Sequence, residues 1–266
     1  MIERRVRKLR LRAPQDALVR RGAILVEDAL HTASMPFAEG GRRWFVRKLN
    51  IGRIRGSQSP ASIALRIEQR MRLLPAIAIP AESEGAADAP AVYFESAADP
   101  YIALAIRICR GETPVEWYWP LAVPGWTPSL DRKQAIRAIL ARAIETEAGP
   151  VTVALVVDAL VCRTLEQPFI EALEPQDGPA LLQASGWAPI QAEAPPPHPE
   201  PSAPSIPIRW TQALAAAIRQ WSPTDHRTTW FAAQPLIVRR PASMLDTRLS
   251  SSAAALIRSI VAATPP

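Results

Sequence analysis

Histidine, cysteine, serine and paired carboxylates are the side chains from which most catalytic and metal sites are assembled, and in this chain they are scattered. His31 falls on a helical pattern, His198 in a proline tract and His226 in a polar stretch, none with a second ligand three or four positions away. Such spacing is what sets two ligands on one helix face, so no metal centre is expected. Cys109 and Cys162 are the only cysteines. They lie 53 positions apart, each inside an apolar helical pattern and neither beside a histidine. They read as two buried free thiols, which fits a cytoplasmic location. No Gly-x-Ser-x-Gly elbow occurs, so an activated nucleophile has no visible frame. Glu145 and Glu147 would diverge on a helix, and Glu82 and Glu84 fall in a loop; both pairs read as solvated charge. The only adjacent glycines, Gly40 and Gly41, sit at a turn, and no Gly-Lys-Ser or Gly-Lys-Thr follows any glycine run. Nucleotide binding through a phosphate loop is therefore disfavoured. No catalytic residue, cofactor or metal is expected.

Charge supplies the strongest signal. Residues 1–75 hold 17 Arg and Lys against 6 Asp and Glu, a net of +11, while the other 191 residues hold 14 against 19. The cations of the front end fall in two clusters, Arg4, Arg5, Arg7, Lys8, Arg10 and Arg12, then Arg42, Arg43, Arg47, Lys48, Arg53 and Arg55. If each cluster is a strand and the two lie side by side, Arg7, Arg10, Arg12, Arg43 and Arg47 make an exposed positive face for phosphate or an acidic protein. The alternative use of such charge is a solvated sheet edge that deters aggregation. With 28 Arg, 3 Lys and a single asparagine, a compositional bias toward arginine contributes too.

Stepping along the chain, Val6, Leu9 and Leu11 alternate with cations as a short strand would. Leu18, Gly22, Leu25, Val26, Ala29 and Ala33 then form a helical stripe. Arg43 to Ile51 reads as a second strand ended by Gly52, and Ser59-Pro60 caps a second helix carrying Ile63, Ile67, Met71 and Leu74. Residues 75–90 read as a loop, Ala91 to Glu95 as a third strand, and Tyr101 to Ile108 as a third helix closed by Gly111. This order predicts an α/β fold, a small βαβαβα sheet domain over 1–126 with parallel crossovers. A helical part follows over 127–187, in which Val151 to Val157 is β-branched enough for a strand to compete. Residues 188–208 hold eight prolines and read as an extended linker. A helical C-terminal arm over 209–266 comes last, with helices at Trp210–Trp221 and across Leu245, Leu249, Ala253, Leu256 and Ile260.

Two further stretches could bind. Trp117, Trp119 and Trp126 bring three of eight tryptophans into ten residues broken by prolines, a segment that either clamps two parts of the fold or forms an interface hot spot. Leu249, Leu256 and Ile260 mark an apolar stripe that must bury itself on the body of the molecule or in a partner groove. Nowhere are there about 18 consecutive apolar residues, so no membrane span or signal peptide is expected.

The first 55 residues resemble the start of contractile, phage-tail-like injection-system cluster proteins of the tape-measure type. The residues that carry the likeness are Ile2-Glu3-Arg4, the helix around Leu18 to Leu30, and Leu49-Asn50-Ile51-Gly52-Arg53-Ile54. Arg47, Lys48 and Asn50 stand where that pattern has acidic residues, and the chain is shorter than those proteins. The resemblance implies a bacterial, non-enzymatic assembly part and transfers no binding residue. The reading that results is a cytoplasmic, non-catalytic assembly or adaptor component that binds a protein partner. The alternatives are a nucleic-acid-binding module using the basic sheet, and an enzyme with an unrecognised site.

Overall fold

The computed structural model describes residues 5–34, 41–187, 205–245 and 249–263. His198, Gly40 and the proline tract through residue 204 lie outside them. The chain divides into two compact units, Met1–Ala97 and Ala98–Pro266.

Unit 1 is organised by two helices, α1 (Asp16–Thr32) and α2 (Pro60–Arg72). The start of α2 follows from its sequence: Pro60 needs no partner for a missing N–H, and the Ser59 hydroxyl accepts from the Ser62 amide at 3.3 Å. Ala29 and Ala33 face Ile63, Ala64 and Ile67 in a buried cluster. The small alanine side chains let the two helices approach closely, and Leu49, Ile51 and Ile54 close the cluster from outside.

Beside the helices is a three-stranded sheet of β1 (Arg43–Val46), β2 (Ile79–Pro80) and β3 (Ala91–Phe94), in the order β1-β3-β2. β1 runs antiparallel to β3 with Arg43 opposite Phe94 and Val46 opposite Ala91, and β2 runs parallel to β3 with Ile79 opposite Val92. A mixed α/β class therefore holds, but the expected βαβαβα order does not. No strand forms over 6–11. Its alternation instead directs Leu11 toward α1, where a Cβ on Gly22 would meet the Leu11 Cδ1 atom at 3.5 Å. The second strand stops at Val46 rather than Ile51, because Leu49 and Ile51 are taken by the helical cluster rather than by a sheet face. Two residues of the expected loop, Ile79 and Pro80, become a strand.

Unit 2 is helical among the described residues: α3 (Asp99–Cys109), α4 (Trp119–Ala122), α5 (Arg132–Ile144), α6 (Gly149–Cys162), α7 (Glu166–Ala172), α8 (Asp177–Ala184), α9 (Ile208–Trp221), α10 (His226–Arg239) and α11 (Leu249–Ala263). The β-branched run Val151 to Val157 is helix, not strand. Packed against α3, α5 and α10, α6 leaves only a narrow face open, and its exposed positions there, Leu155 and Cys162, are not charged, so it carries little amphipathic signature. Glu145 and Glu147 lie past the end of α5, not on it.

The middle of unit 2 is α10, which packs against α6, α8, α9 and α11. Phe169, Trp210, Trp221, Trp230 and Phe231 form its aromatic centre, with ring centroids 5.3 to 6.3 Å apart. Helices α9 to α11 are thus part of the same compact unit as α5 to α8. The expected boundary at 126 falls instead at Ala97, and residues 209–266 are not a separate arm.

Candidate functional site

The cations of the front end are solvent-facing. Arg5, Arg7, Lys8, Arg10, Arg12 and Arg47 are exposed and Arg43 is half-buried on β1. None of these seven makes an ion pair among the described residues. Two other basic residues of unit 1 are engaged. Arg42 donates to Glu95 at 2.7 Å and lies over the Tyr93 ring at 4.7 Å. Its pKa is raised, chiefly by that hydrogen bond. Arg66 donates to the Ile51 and Arg53 carbonyl oxygens at 3.2 and 2.7 Å, tying down the segment that follows β1.

The positive face is not two adjacent strands as expected. Residues 9–12 lie beside α1, whereas Arg43 and Arg47 belong to the edge strand and its exit. The structure gathers Arg10 and Arg12 with Leu9, Leu11, Val19 and Ala23 around a groove of about 420 Å³. Val19 and Ala23 escaped the sequence reading. Their signal was present: Val19, Ala23 and Val26 follow four- and three-residue steps, a second stripe on α1 beside the one assigned to the core.

Exposed apolar side chains concentrate in the same unit. Of eleven large ones among the described residues, seven lie in unit 1, including Val6, Leu9, Leu18 and Ile24. Unit 1 has little more than a third of the chain, so this is an enrichment and not a uniform scatter.

The other two candidate stretches are interior. Trp119 and Trp126 are each 1% exposed and Trp117 is half-buried, all within unit 2. The Trp119 indole donates to Glu116 at 2.9 Å, and Arg107 bridges Glu116 and Glu112 at 2.6 and 2.7 Å while lying over the Trp119 ring. Burial pushes the Glu116 carboxyl up, but Arg107 outweighs it and holds the pKa below the usual value. Leu249, Leu256 and Ile260 are buried, on a helix packed against α9 and α10. The stripe of α11 therefore closes the fold rather than awaiting a partner.

A second cavity of about 230 Å³ lies among Ile108, Glu112, Thr113, Trp126, Asp131 and Arg132. Its acidic groups are already engaged: Glu112 with Arg107, and Asp131 in a reciprocal capping box with Gln134 at the start of α5. Cys109 is buried close by, and burial pushes its thiol up to about 12, with Arg132 opposing only in part. A neutral thiol is a poor nucleophile. Cys162, expected to be buried, is exposed at the end of α6, and desolvation followed by the charge of Asp158 raises its pKa as well.

Among the described residues no three His, Cys, Asp or Glu side chains are grouped as metal ligands, and no helix is long and apolar enough to cross a membrane. Comparison with protein-family models, with curated proteins and with solved structures finds no match.

Proposed function

We propose that the protein is a non-catalytic assembly or adaptor component that engages a protein partner through the basic, apolar front of unit 1. One observation carries this reading: Arg5, Arg7, Lys8, Arg10 and Arg12 stand exposed without ion pairs among the described residues, interleaved with exposed Val6 and Leu9. Cations alone would serve solubility. Apolar side chains among them gain nothing in water, yet protein interfaces combine such apolar contacts with a charged rim. A nucleic-acid surface calls for cations and stacking aromatics, and residues 5–12 contain no aromatic. The N-terminal resemblance suggests a contractile injection system as the setting, with another part of the machine as partner. Two free cysteines fit a reducing compartment such as the cytoplasm.

The test is photo-crosslinking in the native host with a diazirine amino acid in place of Lys8, followed by the same experiment in an Arg7→Glu, Arg10→Glu, Arg12→Glu background. A protein adduct that disappears on charge reversal supports the reading. An adduct indifferent to reversal, or one to nucleic acid, overturns it.

A further inference from the structure

Residues 9–12 pass alongside α1 and leave between them the groove of about 420 Å³ lined by Leu9, Arg10, Leu11, Arg12, Val19 and Ala23. Leu11, Val19 and Ala23 are half-buried and Arg10 and Arg12 exposed, so the base is apolar and the rim cationic. No acidic residue lines it. We infer that this groove docks an acidic segment of a partner protein that carries aliphatic side chains, the aliphatic groups seating on Leu11, Val19 and Ala23 and the carboxylates meeting Arg10 and Arg12. This rests on the adaptor reading and specifies the partner's chemistry.

Three observations fix the occupant. Four of the six lining residues are apolar, and a phosphate backbone could not use them. The site is a concavity between two chain segments, whereas a lipid surface is met by a convex apolar face. The cations continue beyond the groove through Lys8, Arg7 and Arg5, a stretch that reaches at most about 25 Å when extended. That length suits a chain segment of several residues rather than a small molecule.

The probe is a fluorescein-labelled octapeptide of alternating Glu and Leu, titrated with the full chain and followed by anisotropy. Binding is expected at low salt and should weaken toward physiological salt as the charge pairs are screened. A Glu octapeptide without leucine should bind at least about tenfold more weakly, since it leaves the apolar base unfilled. Val19→Glu should weaken the Glu-Leu peptide by about tenfold or more, because like charge and lost apolar contact act together. Leu65→Glu, the same change at an exposed position outside the groove, should leave binding unchanged. Circular dichroism reports whether Val19→Glu folds; if it does not, Leu9→Glu at the exposed edge of the groove takes its place. The inference is overturned if the two acidic peptides bind equally, if Leu65→Glu weakens binding as much as the groove variant, if a Lys-Leu peptide binds as well, or if duplex DNA or anionic vesicles displace the probe at stoichiometric amounts. Loss of the native crosslink on charge reversal with no peptide binding removes the groove and keeps the adaptor reading. A crosslink indifferent to reversal removes both.

Discussion

At the scale of single residues, two glycines in helices show how packing decides what composition cannot. Gly22 in α1 would place a new Cβ 3.5 Å from Leu11, an ordinary contact, whereas at Gly178 in α8 it would meet the Arg227 amide nitrogen and the His226 Cβ at 2.9 Å. Gly22→Ala is therefore expected to raise stability by about 0.5–1 kcal/mol by removing backbone freedom from the unfolded chain. Gly178→Ala should lower it by about 1–3 kcal/mol because α8 must move off the start of α10. Urea denaturation of the two variants checks both signs. The cysteines separate in the same way. Iodoacetamide on the native protein, read by mass spectrometry, should modify exposed Cys162 slowly and Cys109 only after unfolding. The sequence pattern had made both thiols buried, because a cysteine inside an apolar run carries no mark of whether it faces in or out.

Among the elements, legibility followed amphipathicity. α1, α2, α9 and α11 each bury an apolar stripe and were readable from it. α10 was not: ten of its residues are buried, on every side, and Thr228, Thr229, Gln234 and Pro235 interrupt any period. A helix in the middle of a unit has no polar face to define a stripe. The groove of unit 1 was half legible, since Arg10 and Arg12 stood out by charge while Val19 and Ala23 lie beside the stripe assigned to the core and carry no charge to mark them. The entry to α10 also holds strain. Ser222, between α9 and α10, has φ 81° and ψ 156°, a region tolerated essentially by glycine alone. The Thr228 hydroxyl donating to its carbonyl at 2.7 Å helps keep it there. Ser222→Gly should relieve about 1 kcal/mol of this strain and raise the melting temperature; a fall in melting temperature would mean that the serine contacts outweigh it.

A second connection between elements titrates. Arg137 on α5 pairs with Glu174 at 2.6 Å and Asp177 at 2.9 Å, and Lys133 reaches Glu174 at 3.2 Å. The Arg137 hydrogen bond, with that of Lys133 behind it, holds the Glu174 carboxyl down at about 2 against an ordinary 4.5. Its folded pKa is depressed, so its contribution is complete above the unfolded value near 4.5 and is lost as pH falls toward 2. Stability measured by thermal melting should be level in this respect above pH 5, then decline between about pH 4.5 and 2. Glu174→Gln should flatten part of that decline, and an unchanged slope would show the pair to be too solvated to matter.

For the molecule as a whole, the question is what the residues beyond the proline tract do. A proline-rich stretch followed by amphipathic helices reads as a projecting arm when only sequence is available, since nothing local tells whether the apolar stripe of Leu249, Leu256 and Ile260 meets its own body or another's. The aromatic centre answers it. Trp210 and Trp221 of α9 pack on Phe231 of α10, and Phe231 and Trp230 of α10 meet Phe169 from α7. Trp210 also donates from its indole to Asp158 of α6 at 2.7 Å, and Arg227 donates to the Leu173 carbonyl at 2.8 Å from a buried position. A chain ending at Trp187 would remove most of these rings and uncover Val157, Leu160, Phe169 and Ile170, all now within 1% of full burial. Losing one such large side chain from a core costs about 3–5 kcal/mol, comparable with the whole stability of a small domain. The shortened chain is therefore expected to aggregate or to melt well below the full chain, as followed by scanning calorimetry and size-exclusion chromatography. Full solubility with an unchanged melting temperature would mean that α9 to α11 are dispensable to the fold and free to serve a partner. On the packing seen here, α9 to α11 belong to the core of unit 2.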